Sequence, residues 1–171
     1  MKIRSFITGA TLFCILVFAV QYLFIASIPD LVFSIAKYRS GKPLNTVIQA
    51  PKTDAKLRKV VLPNPDFVYN AVFYDVSKAD LIISGEFPDS SQYCALAFYG
   101  DDAQPYRVIN NLQSKSKSFR FHLSQSKLDS MAVVSPTAQG VLLMRILVAD
   151  NEQYEIAKQL QKLMKVLAID K

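Results

Sequence analysis

The residues of this chain that could do chemistry are few and scattered. His122 is the one histidine, so neither a zinc helix with paired histidines nor a His-rich metal site can form. Cys94 and His122 supply the types for a thiolate nucleophile and its base. Nothing in the spacing brings them within hydrogen-bond reach, and a buried thiol with a surface imidazole is the simpler expectation. Asp66 and Asp75 flank one predicted strand at an odd separation, which sends their side chains to opposite faces unless a bulge intervenes. Asn64 and Asp66 stand among two prolines in Leu-Pro-Asn-Pro-Asp. There they can bond nearby backbone amides and define how the strand is entered, with ligand binding as the competing use. Tyr69 follows on the face of Phe67, Ala71 and Phe73, where an aromatic sheet face accounts for it and a hydroxyl turned into a pocket is the alternative. Asp101 and Asp102 form a turn without a calcium-loop pattern. The five glycines, at 9, 41, 85, 100 and 140, make neither a phosphate-cradling loop nor a dinucleotide fingerprint.

The elements that must position these residues are mostly strands. Segments 67–76, 81–85, 93–99, 106–109, 118–123, 131–134 and 141–148 are dense in Val, Ile, Phe and Tyr. Turn residues separate them at intervals too short for helical crossovers, so antiparallel pairing in a meander is the economical topology. Within Ser-Phe-Arg-Phe-His-Leu, Phe119, Phe121 and Leu123 point one way, and Arg120 and His122 the other. Segment 135–140 reads as a hairpin loop between two apolar strands. A C-terminal helix should start at Asp150 as N-cap with Gln153 three residues on, burying Ile156, Leu160, Leu163 and Leu167 and exposing Lys158, Lys162 and Lys165. The fold class is therefore α+β.

The chain has 171 residues, which suits one domain once a leading apolar segment is set aside. Segment 5–28 carries no charge and reaches about 36 Å as a helix, against about 30 Å of bilayer hydrocarbon, so it can span. A cleaved signal peptide is the alternative, but the run is long and Ala26-Ser27-Ile28 is a poor cleavage site. The division is an anchor over 1–28 and an α+β domain over 29–171. Pro29 and Asp30 suit the first turn of a short juxtamembrane helix with Leu31, Val32, Ile35 and Ala36 on one face, stopped by Gly41 and Pro43. That helix either packs on the domain or lies on headgroups with Lys37 and Arg39 toward anionic lipid. The net charge is +6, with 18 basic and 14 acidic groups after Arg4, so the domain is only mildly basic. With Lys52, Lys56, Arg58 and Lys59 in a solvated loop and no interleaved aromatic patch, nucleic-acid binding is not expected. Cys14 inside the apolar run and Cys94 in a strand cannot bridge.

From Val60 onward the chain resembles the domain of unknown function 1254 family. The likeness rests on Asn64, Asp66 and Tyr69 opening a strand, Asp75 closing it, and Tyr93 with Leu96 in a later strand. The stretch 133–148, Val-Val-Ser-Pro-Thr-Ala-Gln-Gly-Val-Leu-Leu-Met-Arg-Ile-Leu-Val, resembles the ending of the short membrane-anchored members. Two positions depart: Cys94 stands where an aromatic is usual, and Asn110-Asn111 where Asn-Asp is usual. The resemblance implies a bacterial membrane-attached α+β protein with no established activity. It also implies larger relatives in which a β-sandwich partner domain is fused, so that a separate small membrane protein would dock here in its place. Lys2 and Arg4 favour a cytoplasmic N-terminus in the inner membrane, with the domain in the periplasm.

These readings lead to a non-enzymatic envelope protein that binds a partner through its sheet. The competing class is an envelope enzyme or small-ligand binder with a pocket around Asn64, Asp66, Tyr69 and Tyr93. Neither calls for a cofactor.

Overall fold

The computed structural model describes residues 2–52, 64–114, 116–126 and 132–170. The basic positions Lys56, Arg58 and Lys59 and the strand start expected at Met131 lie outside these.

The apolar N-terminal run forms α1, Lys2–Ser40. Within its stretch Phe6–Ser40 an 18-residue window has a mean hydropathy of 2.3, and the helix is long and apolar enough to cross a membrane. Three hydroxyls in its apolar part are satisfied by the helix itself. Thr8, Thr11 and Ser27 donate to the carbonyls of Arg4, Ile7 and Leu23, four residues back. Such bonds let a polar side chain sit in an apolar environment without an orphan donor. The helical turns expected after Pro29 are present, but as the continuation of α1 rather than a separate element. Proline's φ is already helical, so it removes one backbone bond without forcing a stop. Gly41, at φ +60, ends the helix in the left-handed region that glycine enters freely.

Among the described residues nine strands make two sheets. The strands are β1 Ile48–Gln49, β2 Phe67–Asp75, β3 Ala79–Glu86, β4 Cys94–Gly100, β5 Pro105–Asn110, β6 Ser118–Ser124, β7 Ala132–Val134, β8 Gln139–Leu147 and β9 Lys165–Asp170. The first sheet runs β1-β2-β8-β4-β5 and the second β7-β6-β3-β9. All pairs are antiparallel except β6 with β7. The expected meander is therefore corrected. The short turn after β2 carries the chain across to the second sheet, and segment 135–140 crosses between sheets instead of closing a hairpin. Alternation specifies which residues a strand buries, and both arrangements bury the same ones, so the pattern cannot choose the partner strand.

The inner faces meet in one core. Val68, Val72, Tyr74, Leu96, Phe98, Leu142, Met144 and Ile146 come from the first sheet, and Leu81, Ile83, Phe119 and Leu123 from the second. Phe98 and Phe121 meet edge to face across the gap, their ring centroids 6.4 Å apart. Helix α2, Asn151–Leu163, packs on this assembly. Its start follows the expected box: the Asp150 carboxylate accepts from the Gln153 amide at 2.8 Å, and the Gln153 side chain accepts from the Ala149 amide at 2.9 Å.

The buried stripe of α2 differs from the expected one. Ala157, Leu160 and Gln161 face inward, whereas Ile156 and Leu163 are exposed. The helix also stops earlier. Met164 is extended, and Leu167, expected on the helix, lies in β9 against β3 with 60% of its surface exposed. The helical spacing of Leu163 and Leu167 continued past the true end. Val166 to Ile169 instead satisfy the backbone edge of β3, where β-branched and apolar residues fit.

Candidate functional site

The outward face of the first sheet brings Tyr69 and Arg145 side by side. On β2 and β8 inward residues are buried while outward ones are half-exposed. Backbone register aligns Tyr69, Arg145, Ala95 and Asn110 in one row across β2, β8, β4 and β5. Phe67 and Leu147 form the adjacent pair, and the Tyr93 carbonyl accepts from the Leu147 amide at 2.8 Å, placing Tyr93 beside them. Phe67 and Tyr69 rings lie 6.2 Å apart. Arg145 is the centre of this face. Its Nε is buried without a hydrogen-bond partner, and no carboxylate of a described residue pairs with it. A desolvated guanidinium donor without an acceptor carries a cost that a ligand or partner could remove.

Asn64 and Asp66 lie at the entrance to this face and are exposed. The Asn64 side-chain oxygen accepts the Asp66 amide at 2.9 Å, its carbonyl accepts the Phe67 amide, and the Asp66 carbonyl accepts the Val148 amide. Their backbone and amide groups thus build the turn that launches β2. Of the four residues singled out from sequence, Tyr69 and Tyr93 share the outward face, and Asn64 and Asp66 shape its border.

At the other end of the same face α1 docks on the sheet. Phe33 is 8% exposed and meets Phe73 edge to face at 5.9 Å. Lys37 donates to the Gln139 side-chain oxygen at 3.3 Å, and the Gln139 amide donates to Asp75 at 2.7 Å. Phe33 and Lys37, four apart, form the contact, where the sequence pointed to Leu31, Val32, Ile35 and Ala36; all four are exposed. Burial pushes the Asp75 carboxyl up, but bonds from the Ser77 hydroxyl and amide and from Gln139, with the Lys37 charge, together hold it below the usual 3.8. A carboxyl lowered in the folded state adds stability above its unfolded pKa and loses it as pH falls through the folded one. The joint should therefore loosen below about pH 4. Asp75→Asn should flatten the stability profile on that acid limb, measured as the thermal midpoint against pH; a limb unchanged from wild type would refute this.

The remaining candidates are structural. Cys94 is fully buried on the inner face of the first sheet, and burial pushes its thiol up to about 12. His122 lies on the outward side of the second sheet, 3.4 Å from the buried Asp80 carboxylate. Strands on separate sheets keep the two apart, so no thiol–imidazole dyad forms. The surface imidazole expected from the strand pattern is in fact half-buried. Among the described residues no group of three or more His, Cys, Asp or Glu could hold a metal. A buried hydroxyl cluster joins the sheets: Tyr74 donates to the Tyr99 carbonyl at 2.8 Å and lies 3.0 Å from both the Tyr106 and Ser135 hydroxyls. Burial raises the Tyr74 and Tyr106 hydroxyl pKa values.

The family model described as "Protein of unknown function (DUF1254)" matches residues 44–167. The chain belongs to this family. No curated protein matches it. In fold it is similar to two solved structures. One is the VPA0106 protein from Vibrio parahaemolyticus, with TM-score 0.59 and 14% identity over 82% of this chain and 35% of that one. The other is a putative uncharacterized protein from Burkholderia cenocepacia, with TM-score 0.53 and 13% identity over 80% of this chain and 40% of that one. The DUF1254 unit here thus spans well under half of either solved chain.

The DUF1254 residues quoted above acquire physical roles. Leu96 is core, and Asp75 closes β2 and holds the α1 joint. At the departing position, the Asn111 side-chain amide donates to the Gln92 carbonyl at 2.8 Å and the Asp89 carbonyl at 3.4 Å, while its oxygen accepts from the Cys94 amide at 3.0 Å. A carboxylate cannot donate. Asn111→Asp should therefore cost about 1–3 kcal/mol at neutral pH, read as a lowered thermal midpoint. An unchanged midpoint would mean the loop rearranges freely. Arg145 was missed from sequence, although it is the one charge in the apolar run from Val141 to Val148, and that isolation was the available signal.

Proposed function

We propose that this DUF1254 chain is a membrane-anchored, non-enzymatic interaction module of the bacterial cell envelope. In this reading α1 spans the inner membrane with its N-terminus in the cytoplasm, and the domain stands in the periplasm. The outward face of the first sheet binds a separate small membrane protein carrying a β-sandwich partner domain. The observation that carries the reading is the row Tyr69–Arg145–Ala95, bordered by Phe67, Leu147 and Tyr93, with the Arg145 Nε buried and unpaired. Aromatic residues with arginine are the side chains that anchor protein interfaces. Two further facts support it. The docked α1 contacts the Phe73 and Gln139 end of this face and not the Arg145 end, and both solved chains of similar fold continue well beyond the matched part.

Photo-crosslinking in intact cells tests this directly. A benzoylphenylalanine at Tyr93 should capture a distinct membrane protein, one at exposed Lys78 should not, and Arg145→Ala should reduce capture at Tyr93 by tenfold or more, about the cost of truncating an interface anchor. If Tyr93 yields no protein adduct and the gently solubilised chain migrates alone as a monomer, the reading is wrong.

A further inference from the structure

The outward face of the second sheet carries a different arrangement, independent of the Arg145 face. Ser84 on β3 is the register partner of Arg120 on β6 and of Lys165 on β9, so a hydroxyl stands between two cations in one row across three strands. In the next row Ile82 is flanked by His122 and Leu167. A groove of about 590 Å³ runs over both rows, lined by Ile82, Ser84, Arg120, Lys165 and Leu167, with Asn45 to Val47 as its rim.

Neither cation is paired with a described residue. Arg120, Lys165 and Ser84 make no ion pair or side-chain hydrogen bond to any described residue. Glu86, two residues on along β3 and thus on the same face, is not paired with either cation. The Asp80 carboxylate on this face is turned to His122. The rim contributes shape more than donors, since the Asn45 side chain is spent on Asp75 and the Thr46 hydroxyl on the Pro43 carbonyl. Strands lie about 4.8 Å apart, so the two cationic side chains start about 10 Å from each other and can converge on one group above Ser84.

Two full positive charges and a hydroxyl donor match a dianionic phosphomonoester, with its three terminal oxygens, better than a single carboxylate. The adjoining Ile82 and the largely exposed Leu167 offer an apolar bed beside the charges. We infer that this groove binds an amphipathic phosphate monoester, its head on Arg120, Ser84 and Lys165 and its apolar chain along Ile82 and Leu167.

The test uses the full chain in phosphatidylcholine nanodiscs, titrated calorimetrically with hexyl phosphate and corrected with empty nanodiscs. Saturable binding at one site per chain is expected. Arg120→Ala with Lys165→Ala, both on exposed side chains, should weaken it at least tenfold while leaving the thermal midpoint unchanged. Inorganic phosphate should bind more weakly, by roughly fourfold for each methylene that hexyl phosphate buries. Leu167→Ser should narrow that gap. Non-saturable binding, or equal binding by the double variant, overturns the site; inorganic phosphate binding as tightly as hexyl phosphate overturns the amphipathic ligand. Adding phosphatidic acid to the nanodiscs separates the sources. Competition against hexyl phosphate supports a lipid headgroup as the ligand, and an unchanged affinity supports a soluble monoester.

Discussion

Gly140→Ala should lower the unfolding free energy by about 3 kcal/mol or more, among the largest losses available to a single methyl group. A Cβ at this position would meet the Tyr74 hydroxyl and the Tyr99 carbonyl oxygen, both at 2.2 Å. Neither can retreat cheaply. The carbonyl belongs to β4, whose Gly100 pairs with Gly140 itself, and Tyr74 is fully buried with its hydroxyl bonded to Tyr99 and lying against Tyr106 and Ser135. Accommodation would have to pry β8 from β4 or expel Tyr74 from the cluster joining the sheets. Thermal unfolding of the full chain in nanodiscs should show the loss, and Gly9→Ala, with nothing within 4 Å of the added carbon, should show none. In a Tyr74→Phe background the penalty of Gly140→Ala should shrink without vanishing, since the backbone contact remains. A midpoint equal to wild type would contradict the packing of this end of the first sheet.

The second large effect concerns α1. Leu16→Arg with Val20→Arg places two charges one turn apart in the most apolar part of the helix, where both native side chains are exposed to whatever surrounds it. Each arginine at a helix centre opposes insertion by about 2.5–3.5 kcal/mol, so the pair should abolish stable membrane integration. After alkaline carbonate washing the wild-type chain is expected in the pellet with its N-terminus intact by mass, and the double variant in the supernatant. Recovery of wild type in the supernatant, or a mature form beginning near Pro29, would remove the anchor from the proposed function.

How much could be read without the fold depends on the range of the interaction concerned. The α2 start was legible because Asp150 and Gln153 act within one turn. The entry to β2 was legible for the same reason, with Asn64 bonding a backbone amide two residues on. Strand positions followed from runs dense in Val, Ile, Phe and Tyr between turn residues, and along β2 and β8 burial alternates regularly. Leu167 was misplaced because a helical repeat and a strand edge competed for it, and the unfilled edge of β3 lies far away in sequence. Phe33 was overlooked because its partner, Phe73, is forty residues on. Tyr69 and Tyr93 were singled out, but the residue between them on the sheet, Arg145, came from a strand more than fifty residues later.

The amino-acid order alone determined the long apolar helix, the α+β class, the strand faces, the cap of α2 and the family, because each depends on neighbours along the chain and on side-chain polarity. Which strands share a sheet, where Arg145 and the Arg120–Ser84–Lys165 row sit, and how α1 seats on the domain were decided only by tertiary structure. Those outcomes come from register and packing between distant segments, whose free energies are absent until the chain has closed on itself.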